Sequence, residues 1–366
     1  SNFTATAGND FTSNDKLAAG QNLVANVGND FTTNGAVTTG SDFTATVGNN
    51  VITNNIVTTG GSLAMKVTND LTAHAAVLSH GTTTIDAQNV NLNADLMSDK
   101  NLAITAKDNI ITKEGTNLST KADGRLKART VGFGGDVRAD GTLTIETDEQ
   151  LTAQNITAGG DAVLTPGTDI TVNDVTVGGN LNAKAVNITA QNISAGGNAT
   201  LNAGTDLFAN NVNVGGAANI AAGTQLTAQN VTAKGDAVLR AGADLKTLNV
   251  AAGKDAALTA EKNVSVHDVM AGGNVSLTAG RDAAIDGAVK TGDSAILTAK
   301  HDAVIGGAVT AGGDFSADTG NDLIVNGAVT VQKNLTLHTG NDLTLNGAAL
   351  SHGMMEIDAG HDAAFN

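Results

Sequence analysis

The chain has 366 residues, 41% of them hydrophobic, with 44 glycines, one proline, eight phenylalanines and no cysteine, tryptophan or tyrosine. A formal net charge of −16 argues against nucleic acid, heparin and anionic membranes, which are held mainly by Lys and Arg, and the missing Trp and Tyr leave no stacking platform. Without cysteine there is no disulfide framework and no thiolate metal site, and no run of about 18 apolar residues is present to cross a membrane as a helix.

From the first residues onward the chain repeats itself. Units of 18–20 residues begin near Phe3, Leu23, Phe43, Leu63, Thr83, Leu102, Leu118, Leu143, Ala162, Leu181, Ala199, Ala218, Ala237, Ala256, Val275, Ala295, Phe315, Leu335 and Met355. Within a unit, apolar residues alternate with Thr, as in Leu335, Leu337, Leu343 and Leu345, which is the period of a strand with one buried face. Clusters such as "TGND", "NG" and "AGGN" separate the runs, and their Gly, Asn and Asp residues suit tight corners. Twenty residues cannot bury an apolar face alone, so successive units must stack strand on strand. The fold expected is an all-β, right-handed parallel β-helix of about 18–19 coils, continuous over residues 1–366. The chain starts and stops inside the repeat, and is therefore expected to be an internal piece of a longer protein.

One stretch, near residues 113–142, is irregular and basic. The unit from Leu102 reads as short, "VRADGT" at 137–142 reads as extra, and Lys121, Arg125, Lys127, Arg129 and Arg138 gather positive charge in an acidic chain. These five residues form a candidate interaction patch, set against a solvated basic face on a tolerated insertion.

Candidate chemistry is sparse. Ser79 beside His80 and Ser351 beside His352 suggest a nucleophile and base, but neighbours in a strand point to opposite faces and no orienting third group is evident. The eighth position of the units gives Asp10, Asp30, Asn50, Asp70, Asp169, Asp206, Asp244, Asn263, Asp282, Asp302, Asp322, Asp342 and Asp362, with Arg125, Gln150 and Gln225 as exceptions. Such a ladder could hold calcium; corner amides donating to Asx side chains account for it without an ion. His301 and His361 share a unit position but lie three coils apart, too far for one metal. Asn-x-Thr/Ser triplets, such as those at Asn155 and Asn334, arise from the repeat itself. No catalytic, cofactor-binding or metal residue is assigned, and no cofactor is expected.

The repeats "TGNDLTLNGAALSHG" (339–353) and "AGADLKTLNVAAGKD" (241–255) resemble the filamentous haemagglutinin repeats of two-partner secretion exoproteins, which include adhesins and contact-dependent inhibition proteins. The resemblance covers nearly the whole chain. It implies a secreted, surface-displayed shaft, exported through an outer-membrane transporter by a domain not recognisable here, and serving cell contact or adhesion through a receptor or glycan. The alternatives are the shaft of a toxin-delivery protein and a carbohydrate-active β-helix enzyme. An enzyme needs long loops to wall a groove, and unit length here hardly varies, so the chain reads as no enzyme.

Overall fold

A computed structural model describes residues 1–366 and contains 47 strands and no helix. About 63% of the chain is strand, in a parallel sheet of about 19 stacked coils, a β-solenoid. Two compact units, Ser1–Ala185 and Val186–Asn366, are built alike.

In the first unit, Phe3, Leu23, Phe43 and Leu63 pair in succession, each 20 residues on from the last. A coil here carries three strands, for example Leu23–Val27, Phe31–Thr33 and Val37–Thr39, with a corner after each. The second unit pairs Ala199, Ala218, Ala237, Ala256 and Val275 at a 19-residue spacing, then Ala295, Phe315, Leu335 and Met355 at 20. The lost residue has a local effect. Where a 20-residue coil turns through Asn326-Gly327, the shorter coils carry Asn210-Asn211, Gln229-Asn230 or Leu248-Asn249, and the second and third strands merge into single ones such as Leu226–Ala233 and Leu245–Ala252. With one residue fewer at the bend, the backbone stays extended through it.

Alternation decides what is inside. In Leu335–Thr339, Leu335, Leu337 and Thr339 are buried while His338 faces solvent. Aliphatic columns such as Leu239, Leu258 and Leu277 and alanine columns such as Ala218, Ala237 and Ala256 fill the narrow interior of the second unit. In the first unit Phe31 and Phe43 are fully buried, and the Phe31 ring stacks on Phe11 with centroids 5.3 Å apart. Burial of side chains of this size contributes roughly 1.5–3 kcal/mol each.

The register differs from the sequence expectation at one place. Leu102 pairs with Gly124, not with Leu118, and that coil is the long one, with a 22-residue offset between bonded corners. Leu118 belongs to the third strand position, between Leu96 and Val137. The additional residues form a turn at Lys113–Thr116, closed by Thr116 N–H to the Lys113 carbonyl at 2.9 Å, with Gly115 at φ +74°. "VRADGT" is not an insertion, since Val137–Ala139 pairs residue for residue with Leu118–Thr120 and Ile156–Ala158.

At the corners the coils approach closely. A Cβ on Gly223 would lie 1.9 Å from the Gly204 carbonyl oxygen, so no larger residue fits without shifting the backbone. Gly132 faces outward, its nearest neighbour being Thr152 Oγ1 at 3.5 Å. Gly223→Ala is expected to destabilise the fold by about 1–3 kcal/mol, and Gly132→Ala to leave it unchanged or slightly stabilised. Thermal melts of the two variants check this.

Candidate functional site

The Ser-His pairs are structural. Ser79 is buried and its Oγ donates to the Gly61 carbonyl at 3.1 Å, while His80 points out to Asp99. Ser351 Oγ donates to the carbonyls of Lys333 and Met354, and His352 Nδ1 lies 3.2 Å from the Val331 carbonyl. In each pair the serine hydroxyl is engaged by backbone carbonyls and the histidine by a different partner, so neither serine is hydrogen-bonded to its histidine.

The aspartate ladder serves the corners. Asp302 Oδ1 accepts the Asp322 N–H at 3.2 Å and Asn321 Nδ2 at 2.7 Å. One coil on, Asp322 Oδ1 accepts the Asp342 N–H at 3.1 Å and Asn341 Nδ2 at 2.8 Å. Each carboxylate thus binds the amide of the next rung, which offsets the repulsion between neighbouring acids. Three further rungs belong to it: Asn89, which pairs with Asp70 and with the second, Asn109, and Asn187, whose Oδ1 accepts the Asp206 N–H at 3.2 Å; Asn89 and Asn187 each stand one residue earlier than the eighth position of their units. Thr130 stands opposite Asn109, and Arg125 leaves the ladder for the first strand, opposite Ala103 and Thr144.

A second ladder runs along the corner written "GGN" or "GGD". Asp255 Oδ1 accepts the Asn274 N–H at 2.6 Å, Asp314 Oδ1 the Asn334 N–H, and Asn334 Oδ1 the Met354 N–H. A third, of asparagines, links Asn14, Asn34 and Asn54 in one unit and Asn326, Asn346 and Asn366 in the other. The sequon-like Asn155 and Asn334 are bonded within such ladders.

The five basic residues divide between sides of their coils, and four are matched by acids. Lys121 Nζ is 2.6 Å from Asp99, Arg125 is 3.5 Å from Glu146, Arg129 reaches Asp108 and Glu149, and Arg138 lies 2.8 Å from Asp140. Lys127 makes no ion pair, although Glu146 is its neighbour in register. The partners of Lys121, Arg125 and Arg129 come from adjacent coils about 20 residues away, whereas Asp140 lies two residues from Arg138 in the same coil.

His80 and Lys121 hold Asp99 from opposite sides, tying three coils together. The Lys121 hydrogen bond, and after it that from His80, keeps the Asp99 carboxyl below the usual carboxylate range; Asp99 in turn raises Lys121. A depressed folded-state pKa gives stability that is present above the unfolded value and lost as pH falls through the folded one.

Histidines also enter the first ladder. His301 Nδ1 is 3.0 Å from both Asp282 Oδ1 and Asp302 Oδ2, and His361 Nδ1 is 3.0 Å from Asp342 Oδ1 and 3.5 Å from Asp362 Oδ2. The Asp342 hydrogen bond first, then the charges of Asp362 and Asp342, raise the pKa of His361. Concavities lie between side chains of adjacent coils on one face. The depression of about 330 Å³ beside Val250, Met270 and Lys290 is of this kind.

The hemagglutinin repeat family model matches residues 297–365, consistent with a filamentous haemagglutinin-type repeat region. No curated protein and no solved structure matches the chain.

Asp322→Ala removes one acceptor from two donors and is expected to cost about 1–2 kcal/mol in urea unfolding, with Asp322→Asn closer to the parent. Lys121→Met is expected to move the Asp99 titration upward, read by carboxyl-carbon NMR between acid and neutral pH.

Proposed function

We propose that the chain is a length of structural shaft in an adhesin-like, secreted exoprotein displayed on a bacterial surface, holding flanking modules away from the cell. The matched repeat is a structural, adhesin-type repeat. The observation that carries the reading is the assignment of polar side chains: those at the corners are spent on the next coil, as Asp255, Asp314, Asp322 and Asn334 show. A surface built for chemistry leaves such groups free to meet a substrate and encloses them from water. Here the coils differ in length by few residues, and their one turn with a left-handed glycine, at Gly115, is short. Export through an outer-membrane transporter, a receptor or glycan bound by neighbouring modules, and a contact made through the basic stretch, where Lys127 is the one of the five candidate cations without an acidic partner, belong to this same proposal.

A shaft is indifferent to the loss of one whole coil. In a repeat protein, stability is a sum of unit and neighbour terms. Deleting Ala256–Asn274 brings Val275 beneath Ala237 with the pattern intact, since all three positions begin a first strand. The shortened protein is expected to keep its far-ultraviolet spectrum and to display a fused C-terminal module as the parent does. Deleting only Ala256–Ser265 breaks the register and is expected to unfold the neighbouring coils. Loss of an enzymatic or binding activity on clean removal of a single coil, with the spectrum unchanged, contradicts the shaft reading.

A further inference from the structure

Several rungs of the first ladder carry a side-chain amide just before the acid, as at Asn29, Asn321 and Asn341. Asn321 Nδ2 donates to Asp302 Oδ1, and Asn341 Nδ2 to Asp322 Oδ1, each serving the acid of the coil before. At two rungs histidine takes that place, and the geometry changes. The imidazole Nδ1 then meets the acid of the preceding coil and also the acid that follows it in sequence, so that three ligand atoms from two coils lie within 4.8 Å of one another. The same three residue types in the same positions recur at Asp282, His301 and Asp302 and at Asp342, His361 and Asp362.

We propose that these are two separate sites for a divalent cation of the zinc class, each clamping one coil to the next. Three atoms at 2.0–2.2 Å from a tetrahedral or octahedral ion sit roughly 3.0–3.5 Å apart, and the separations from Nδ1 to its two carboxylate oxygens, 3.0 and 3.0 Å in one cluster and 3.0 and 3.5 Å in the other, match that spacing. One imidazole nitrogen with two carboxylates suits zinc, nickel or copper, whereas calcium and magnesium take oxygen sets. All three side chains reach solvent, which supplies the remaining ligands as water. Arg281, at 3.3 Å, occupies the other oxygen of Asp282 and leaves Oδ1 toward the imidazole. The other histidines lack the set: His80 meets Asp99, already held by Lys121, and His338 meets Asp358 alone.

The neighbouring rungs supply the control. His301→Asn and His361→Asn install the residue that the ladder uses elsewhere, keeping a donor for the preceding acid while removing the imidazole. Zinc chloride is titrated into the whole chain by calorimetry near neutral pH, with far-ultraviolet spectra confirming the fold. Each single variant is expected to bind one zinc fewer than the parent and the double variant two fewer, with millimolar magnesium not competing. Zinc is also expected to raise the melting temperature of the parent more than that of the double variant. Equal zinc stoichiometry in parent and double variant, no zinc binding by the parent, or displacement of zinc by magnesium overturns the proposal.

Discussion

The structure depends on the bond between one coil and the next. A strand of three to eleven residues has no partner within its own coil, so its backbone groups are satisfied by the coils above and below. That requirement fixes the register, and the register fixes the rest. Where Leu335 lies on Phe315, Leu337 must lie on Ala317 and Thr339 on Thr319, and the inward column of each coil becomes the floor of the next. A slip of one residue would turn every buried side chain to water. The corners lock this arrangement by two devices: glycines where the chains nearly touch, and Asx side chains that accept the next coil's amide.

Much of this was legible in the letters. The period, the alternation, the corner clusters and the parallel stacking all follow from the requirement that a short unit bury its face on its neighbours. The failure at Leu118 has a physical cause. The true start of that coil, Gly124, carries no side chain where other coils put Leu, Phe or Ala, and Leu143 of the following coil occupies the space, its Cδ1 2.9 Å from where a Cβ would stand. Leu118-Ser-Thr meanwhile looks like the opening of a first strand. A rule that seeks an apolar letter therefore chooses the third strand. Ion pairs were hidden for a different reason: Asp99 and Lys121, or Arg129 and Glu149, become neighbours only through the stacking.

The same constraint bears on function. Residues that resemble catalytic or ligating groups in a linear reading, the Ser-His pairs and the aspartates, are mostly engaged in holding coils together. Recurrence of a motif in a solenoid is evidence first of position. The two His-Asp-Asp clusters are the exception, because there a change from Asn to His adds a second carboxylate to the contact without giving up the first. A scaffold of this kind gains local sites by exchanging one rung at a time, while the backbone and interior stay as they are.

The register around Gly124 is the most direct test of the account, and the absence of native cysteine makes it practical. Spin labels are placed on Ala103→Cys with Arg125→Cys, and in a second sample on Asn109→Cys with Arg125→Cys. The stacking described here makes Ala103 and Arg125 ladder partners, and places Asn109 opposite Thr130 instead. Strong dipolar broadening is predicted for the 103/125 pair and a longer distance for 109/125. The reverse order, with 109/125 the close pair, would contradict the register on which the fold, the corner ladders and the shaft reading rest.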